Sequence, residues 1–355
     1  VDSFAFIIHP IDPKRDVSRK FPFLGRVLPV SLINFFSTFF PPVYLSEIEG
    51  ITSQATGKQI RGWLIACPLT AARMLELPQK LVYNKIIQTG RMAERLGAQI
   101  LGLGAFTSVV GDGGLTIAKA LKVPVTTGDA YTIAVAVEAV SQAAERIGLV
   151  STQTTAAVVG ATGAIGKVCS QLLADKVPQL YLIGRDEQKL RTLQQQLQAQ
   201  TRTTLHISTD VRTIKNAQII LTVSSAAHTI IQPEYLKPGS VICDVARPRD
   251  VSAHVAAQRK DVLVIDGGIV DVPGPVNFNF DFGFPSGKAY ACMAETMALA
   301  LDGRFEDYTV GKDITRQRVD EIAGIARKHG FRLSGFRSFE KPVTEGQINA
   351  VRKFV

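Results

Sequence analysis

The chain of 355 residues has no uninterrupted apolar run of the roughly 20 residues that a bilayer-spanning helix requires. Its greasiest stretch, 21–45, is broken by Pro22, Pro29, Pro41 and Pro42 and holds Arg26. It therefore reads as core or as a lid over an apolar substrate, with peripheral membrane contact as the lesser expectation. Cysteine is scarce: Cys67, Cys169, Cys243 and Cys292 lie far apart and form no CxxC pair. That speaks against a zinc site and a disulfide framework, and no metal is expected. Free thiols suit a reducing cytoplasm, which is the expected location. The five histidines, His9, His206, His228, His254 and His329, form no motif. No internal repeat occurs, and low complexity is confined to 194–200. No secretory leader pattern opens the chain at Val1, which is expected to be a processed or trimmed start.

What is present points to an ordered α/β protein. Hydrophobic residues make up 46% and charged residues 20%, enough to bury large cores. The length suggests two domains and a tail: an N-terminal α/β substrate domain over 1–148, a cofactor domain over 149–285, and C-terminal helices over 286–355. The net charge of +9 would suit nucleic acid, an anionic membrane or an acidic protein. The basic residues are spread along the chain, with clusters at Lys14, Arg15, Arg19 and Lys20 and at Arg327, Lys328, Arg332 and Arg337. They read either as a solvated surface or as a docking face for an acidic carrier, and nucleic acid is not an expected partner. Short apolar runs at Thr155–Val159, Leu180–Gly184, Ile219–Val223, Val241–Val245 and Val262–Ile265 alternate with helical stretches near 164–175 and at Glu187–Gln200. That alternation predicts a Rossmann-type, doubly wound parallel sheet. In the N-terminal region, strands are expected at Ile60–Ile65 and Ile100–Leu103 and helices near 71–96 and at Tyr131–Ile147.

Gly160-Ala161-Thr162-Gly163-Ala164-Ile165-Gly166 follows the first of these strands and opens a helix. Gly160 permits a tight turn, and Gly163 lets a pyrophosphate approach the helical N–H groups. Gly166 allows close packing of helix on strand. A glycine pattern alone is weak; the strand before it and the helix after it give it weight. After the second strand comes Arg185, where a dinucleotide site selective for NAD usually has an acid. A guanidinium there pairs with a 2′-phosphate, so NADPH is expected over NADH, with Asp186 one position later as the alternative acceptor for a ribose hydroxyl. Gly267 and Gly268 follow the last strand, at the edge where ligands bind in such sheets.

Two cysteines compete for the role of nucleophile. Cys292 is expected in the first turns of a helix over Lys288–Leu301, where the dipole and Lys288 would lower its pKa. Cys67 precedes another helix start and is the rival, while Cys169 and Cys243 read as packing. On composition alone, a core role for Cys292 outweighs catalysis. Thr107, Ser108, Thr127 and Asp129 lie where strands feed loops, as substrate contacts or helix caps.

Several stretches carry a family resemblance. They include Arg15-Asp16-Val17-Ser18-Arg19, Thr52-Ser53, Leu103-Gly104, Phe106-Thr107-Ser108, Thr126-Thr127-Gly128, Val158 to Gly163, Gly267-Gly268, Ala291-Cys292, Ala294-Glu295 and His329-Gly330-Phe331. In order and approximate spacing they resemble the cyanobacterial long-chain acyl-(acyl-carrier-protein) reductases. The resemblance implies that Cys292 takes a fatty acyl group from acyl carrier protein or coenzyme A as a thioester. It further implies that NADPH reduces this to an aldehyde, with an aldehyde-consuming enzyme as a further partner. Asp129 stands where that family is expected to have Asn, stretch 21–45 is more apolar, and the part after Phe331 is longer. A more local resemblance, over Thr222–Asp250, is to the cofactor domain of glutamyl-tRNA reductases and brings Ser224 to the cofactor site. The alternatives are a shikimate- or quinate-type dehydrogenase with direct hydride transfer, and a non-catalytic NADP-binding sensor or carrier-binding protein.

Overall fold

The fold is that of a computed structural model. It describes all residues except Ala227, Arg247, Phe284 and Glu340. The stretch Thr222–Asp250 read from sequence therefore falls partly outside the described residues, at Ala227 and Arg247. The chain forms two compact units. The first comprises Val1–Tyr131, Val270–Asp313 and Glu321–Arg332, and the second Thr132–Ile269, Ile314–Asp320 and Leu333–Val355.

The first unit is built on a five-stranded sheet. In chain order its strands are β1 (Ser3–Ile8), β2 (Val43–Thr52), β3 (Gln59–Ala66), β4 (Leu101–Leu103) and β5 (Val125–Thr126). The spatial order is β2-β3-β1-β4-β5, with β2 antiparallel to β3 and the other pairs parallel. The central strand, Ser3-Phe-Ala-Phe-Ile-Ile8, is almost wholly buried, as a parallel strand covered on both faces must be. Between β1 and β2 lie three short helices: α1 (Pro13–Lys20), α2 (Pro22–Val27) and α3 (Val30–Ser37). Prolines set their starts, since each has a fixed φ and no N–H to leave unpaired. The expected helical region near 71–96 is two helices, α4 (Ala71–Glu76) and α5 (Gln79–Leu96), parted at Leu77-Pro78. After β4 come α6 (Phe106–Val109) and α7 (Leu115–Ala120). Then α8 (Asp129–Ile147) begins in the first unit and belongs to the second from Thr132 onward.

The second unit carries six parallel strands: β6 (Thr155–Val159), β7 (Gln179–Ile183), β8 (Thr204–Ser208), β9 (Ile219–Thr222), β10 (Ser240–Asp244) and β11 (Val262–Asp266). Their spatial order is β8-β7-β6-β9-β10-β11, which is the 3-2-1-4-5-6 order of a doubly wound dinucleotide fold. Helices α9 (Ala164–Ala174), α10 (Glu187–Gln198) and α11 (Ala253–Gln258) connect the strands. The α/β, Rossmann-type expectation therefore holds.

The chain then returns to the first unit with α12 (Ala291–Asp302), which packs on β1 and β4. Its start differs from the expected Lys288. Lys288–Tyr290 is extended, so the helix opens at Ala291 and Cys292 is its second residue. Its close is as expected, at Gly303 with φ +74°.

Candidate active site

The turn after β6 has the backbone that the glycines require. Gly160 has φ +82°, and a Cβ on it would lie 2.9 Å from the Val223 carbonyl oxygen. A Cβ on Gly166 would lie 2.1 Å from the Gly160 oxygen, so α9 rests directly on the turn. At Gly163 the nearest obstacle to a Cβ is that same oxygen, at 3.3 Å. Gly163 is the N-cap of α9 and supplies no side chain to the helix N–H groups. The backbone beside it is thus both open and rich in donors, a fitting cradle for a pyrophosphate. Ala161 is buried beneath the turn, while Thr162, Ala164 and Ile165 are partly exposed along it.

Arg185 is exposed beyond β7, and among the described residues no hydrogen bond or ion pair holds it. Asp186 is spent elsewhere: it caps α10 by accepting from Lys189 N at 3.1 Å, which keeps its carboxyl below the usual range. Across the point where strand order reverses, between β6 and β9, Ser224 is pinned by the buried Asp250. Asp250 accepts from Ser224 N at 3.0 Å and from Ser224 Oγ at 2.5 Å, and also from the Thr222 hydroxyl. Gly268 follows β11 with φ +86°, and a Cβ on Gly267 would meet Val245 Cγ2 at 2.6 Å.

In the first unit Cys292 is half-buried at the start of α12 and lies against Gly128. Gly128 has φ +78°, and a Cβ on it would lie 2.3 Å from Cys292 Cα. Only glycine lets the two backbones approach so closely. Next to Gly128 is Asp129. Burial, and then the charge of Glu295, push the Asp129 carboxyl up to about 7. Cys292 does not have the lowered pKa expected from the helix dipole and Lys288. Burial, and then Asp129, push its thiol up to about 12; the N–H groups of Met293 and Cys292 itself pull the other way and lose. Lys288 lies off the helix and pairs with Asp271 at 2.7 Å. The resting sulfur is therefore a neutral thiol beside a carboxylate poised to take or give a proton.

Glu295, one helical turn after Cys292, fastens this arrangement and is the part that sequence reasoning missed. It is fully buried, and burial pushes its carboxyl up. Four donors oppose that shift: Thr126 Oγ1, Thr309 Oγ1 at 2.6 Å, Tyr131 N at 2.8 Å and Gly128 N. The one carboxylate thus ties β5 and the first turn of α8 to α12. Thr127 is buried, and its hydroxyl donates to the Thr309 carbonyl at 2.6 Å. The spacing Cys292-x-x-Glu295 was the available signal, because residues three apart share a helix face.

The remaining candidates separate clearly. Thr107 and Ser108 are buried, and their hydroxyls donate to Gly104 O and Ala105 O, each at 2.7 Å. Their protons are committed to the turn that opens α6. Cys67 is fully buried and pushed up to about 11, chiefly by burial. Cys169 is buried in α9 and pushed up to about 12 by the same cause. His329 joins a relay that its sequence position did not reveal: Nδ1 lies 2.8 Å from Ser53 Oγ and Nε2 3.0 Å from Asp302. Ser53 and His329 are 2% and 1% exposed, so this relay braces the core instead of meeting a substrate.

Residues 142–267 match the family model of shikimate / quinate 5-dehydrogenase. A curated relative, the long-chain acyl-[acyl-carrier-protein] reductase of Synechococcus elongatus, is 29% identical over 346 residues, spanning 92% of this chain and 98% of that protein. The resemblance read from the sequence motifs therefore holds along the chain. Aminotransferase PigE of Serratia sp. strain ATCC 39006 is 31% identical over 310 residues, or 86% of this chain. The chain spans only 36% of that relative's length. Among solved structures, L-tryptophan dehydrogenase from Nostoc punctiforme aligns with 93% of this chain and 80% of its own, at TM-score 0.40 and 14% identity. With strand order, glycine turn and family match in agreement, the second unit is the nicotinamide-dinucleotide domain of an oxidoreductase.

Proposed function

We propose that this chain reduces a fatty acyl thioester, carried on acyl carrier protein or coenzyme A, to an aldehyde with NADPH, through a thioester on Cys292. The observation that carries this reading is the pairing of a half-buried thiol with a carboxylate held near neutrality, Cys292 and Asp129. As Cys292 Sγ bonds to the acyl carbon, Asp129 accepts the thiol proton. Asp129 then returns it to the departing carrier sulfur as the carrier C–S bond breaks. A covalent intermediate divides one difficult exchange into two easier ones. Glu295 acts as a positioning residue, since its hydrogen bonds hold the Gly128-Asp129 turn to the helix of Cys292. The N–H groups at the start of α9 would hold the dinucleotide pyrophosphate, Arg185 a 2′-phosphate, and Ser224, Gly267 and Gly268 border the same edge. When bound, the reduced dinucleotide would supply the hydride to the acyl carbon, and as the C–S bond to Cys292 then breaks the aldehyde leaves and the sulfur takes up a proton to become the thiol again.

The test is to incubate the protein with acyl-carrier and acyl-CoA thioesters, with and without NADPH. An acyl adduct is sought by intact mass, and aldehyde is trapped with hydroxylamine. The expected result is an adduct without NADPH, aldehyde with it, and neither in Cys292→Ser. The match of 142–267 to shikimate / quinate 5-dehydrogenase favours a second reading, direct hydride transfer to a hydroxy acid or ketone. Under that reading Cys292→Ser keeps its turnover.

A further inference from the structure

Much of stretch 21–45 is open to solvent, although Ile33 and Leu45 are buried. Phe23 is 75% exposed, Phe39 69% and Phe35 54%, with Phe36, Phe40 and Leu32 also open to solvent. The exposed rings form a cluster: Phe35 lies 5.4 Å from Phe36 and 5.4 Å from Phe39, centroid to centroid. Pro22, Pro29, Pro41 and Pro42 hold the segment to helices of six and eight residues. Such short pieces cannot bury both faces, and one face of each is left in water. An apolar patch of this kind marks an interaction surface.

We propose that this face of α2, α3 and the turn after them docks on an anionic phospholipid bilayer and lies in its interface. Charge complementarity selects that partner. Residues 13–42 hold Lys14, Arg15, Arg19, Lys20 and Arg26 against a single acid, Asp16. Asp16 is used internally, accepting from Ile11 N and Asp12 N at 2.9 Å and pairing with Arg19 at 3.1 Å. Lys14, Arg15, Lys20 and Arg26 are exposed on the same stretch of chain, Arg15 lying 3.9 Å from Asp16 and Lys20 donating to Leu45 O at 3.0 Å. Basic side chains flanking an apolar face of in-plane helices are the arrangement that binds an anionic interface. Among the described residues no helix is long and apolar enough to cross a membrane, so the contact is one of lying on the surface. An acidic soluble protein would satisfy the cations but leave the rings in water, which disfavours it as the main occupant. The inference does not depend on the thioester reading.

The experiment is co-sedimentation of the 355-residue chain with vesicles of phosphatidylcholine alone and of phosphatidylcholine with phosphatidylglycerol. Binding to the anionic vesicles is expected to be at least about tenfold tighter at low salt and to weaken as salt rises. The combined change Phe23→Ser, Phe35→Ser and Phe39→Ser should lower it by about tenfold or more, with the thermal melt unchanged because these side chains are exposed. Lys14→Glu with Arg26→Glu should erase the preference for anionic vesicles. No binding to either vesicle, or equal binding by the phenylalanine variant, overturns the proposal. So does a wild-type dimer that the same variant turns into monomer without any vesicle binding, which would make the face a self-association surface.

Discussion

Replacing Asp129 by Asn separates the two things that this carboxylate does to Cys292. It raises the thiol pKa, and it offers a place for the proton. With the thiol at about 12, only about one sulfur in ten thousand or fewer is ionised at neutral pH, so attack cannot depend on preformed thiolate. With Asp129 at about 7, roughly half of the carboxyls are ready to accept at that pH. Loss of such a base costs about 10²- to 10⁴-fold in the step it assists. Acyl transfer to Cys292, followed by intact mass under single-turnover conditions, should fall by that amount in Asp129→Asn. Alkylation of Cys292 by iodoacetamide should move the other way, because it depends on thiolate and a neighbouring negative charge has been removed. The pH profile provides a further check. Asp129 must be ionised to accept, so the wild-type acyl-transfer rate should rise through about pH 7, and that limb should be missing in the variant. If acylation and alkylation fall together, Asp129 shapes the site and carries no proton. If acylation is unchanged, the proposed role is refuted.

Gly163→Ala should leave the melting temperature nearly unchanged yet weaken NADPH binding at least about tenfold, whereas Gly166→Ala should destabilise the second unit by about 1–3 kcal/mol, as dye titration and thermal melts would show. Arg185→Ala should lower the preference for NADPH over NADH by about tenfold or more, read from kcat/KM with each cofactor. Glu295→Gln keeps the shape but offers an amide to four donors; acyl transfer should slow, the melting temperature should drop, and Glu295→Asp should not restore the rate. Asp129 also links stability to pH. Its folded pKa, about 7, lies above the usual 3.8, so its stabilising contribution is complete below 3.8 and is lost as pH rises through 7. Asp129→Asn should therefore gain melting temperature over wild type between pH 5 and pH 8.

Local patterns carried the second unit. Thr155–Val159 and the apolar runs at 219–222, 240–244 and 262–266 are strands because each is a short buried run bounded by turn residues, and the glycines after the first form the turn into α9. Strand β8, Thr204–Ser208, went unread, since Thr-Leu-His-Ile-Ser alternates weakly and sits at the sheet edge. The phenylalanines of 35–40 read by hydropathy as core or as a lid over an apolar substrate and are exposed, because proline-bound helices of eight residues or fewer cannot cover both sides of so dense a cluster.

The amino-acid sequence by itself determined the parallel sheet, the glycine turn and the family likeness, because each rests on residues close together in the chain. Only the tertiary structure decided the state of Cys292. Proximity to a helix start and to Lys288 suggested a thiolate, but ionisation depends on everything packed around the sulfur. Burial, and then Asp129 and Glu295, brought together by strand β5 and by the return of α12 to the first unit, make it a neutral thiol with a proton acceptor beside it.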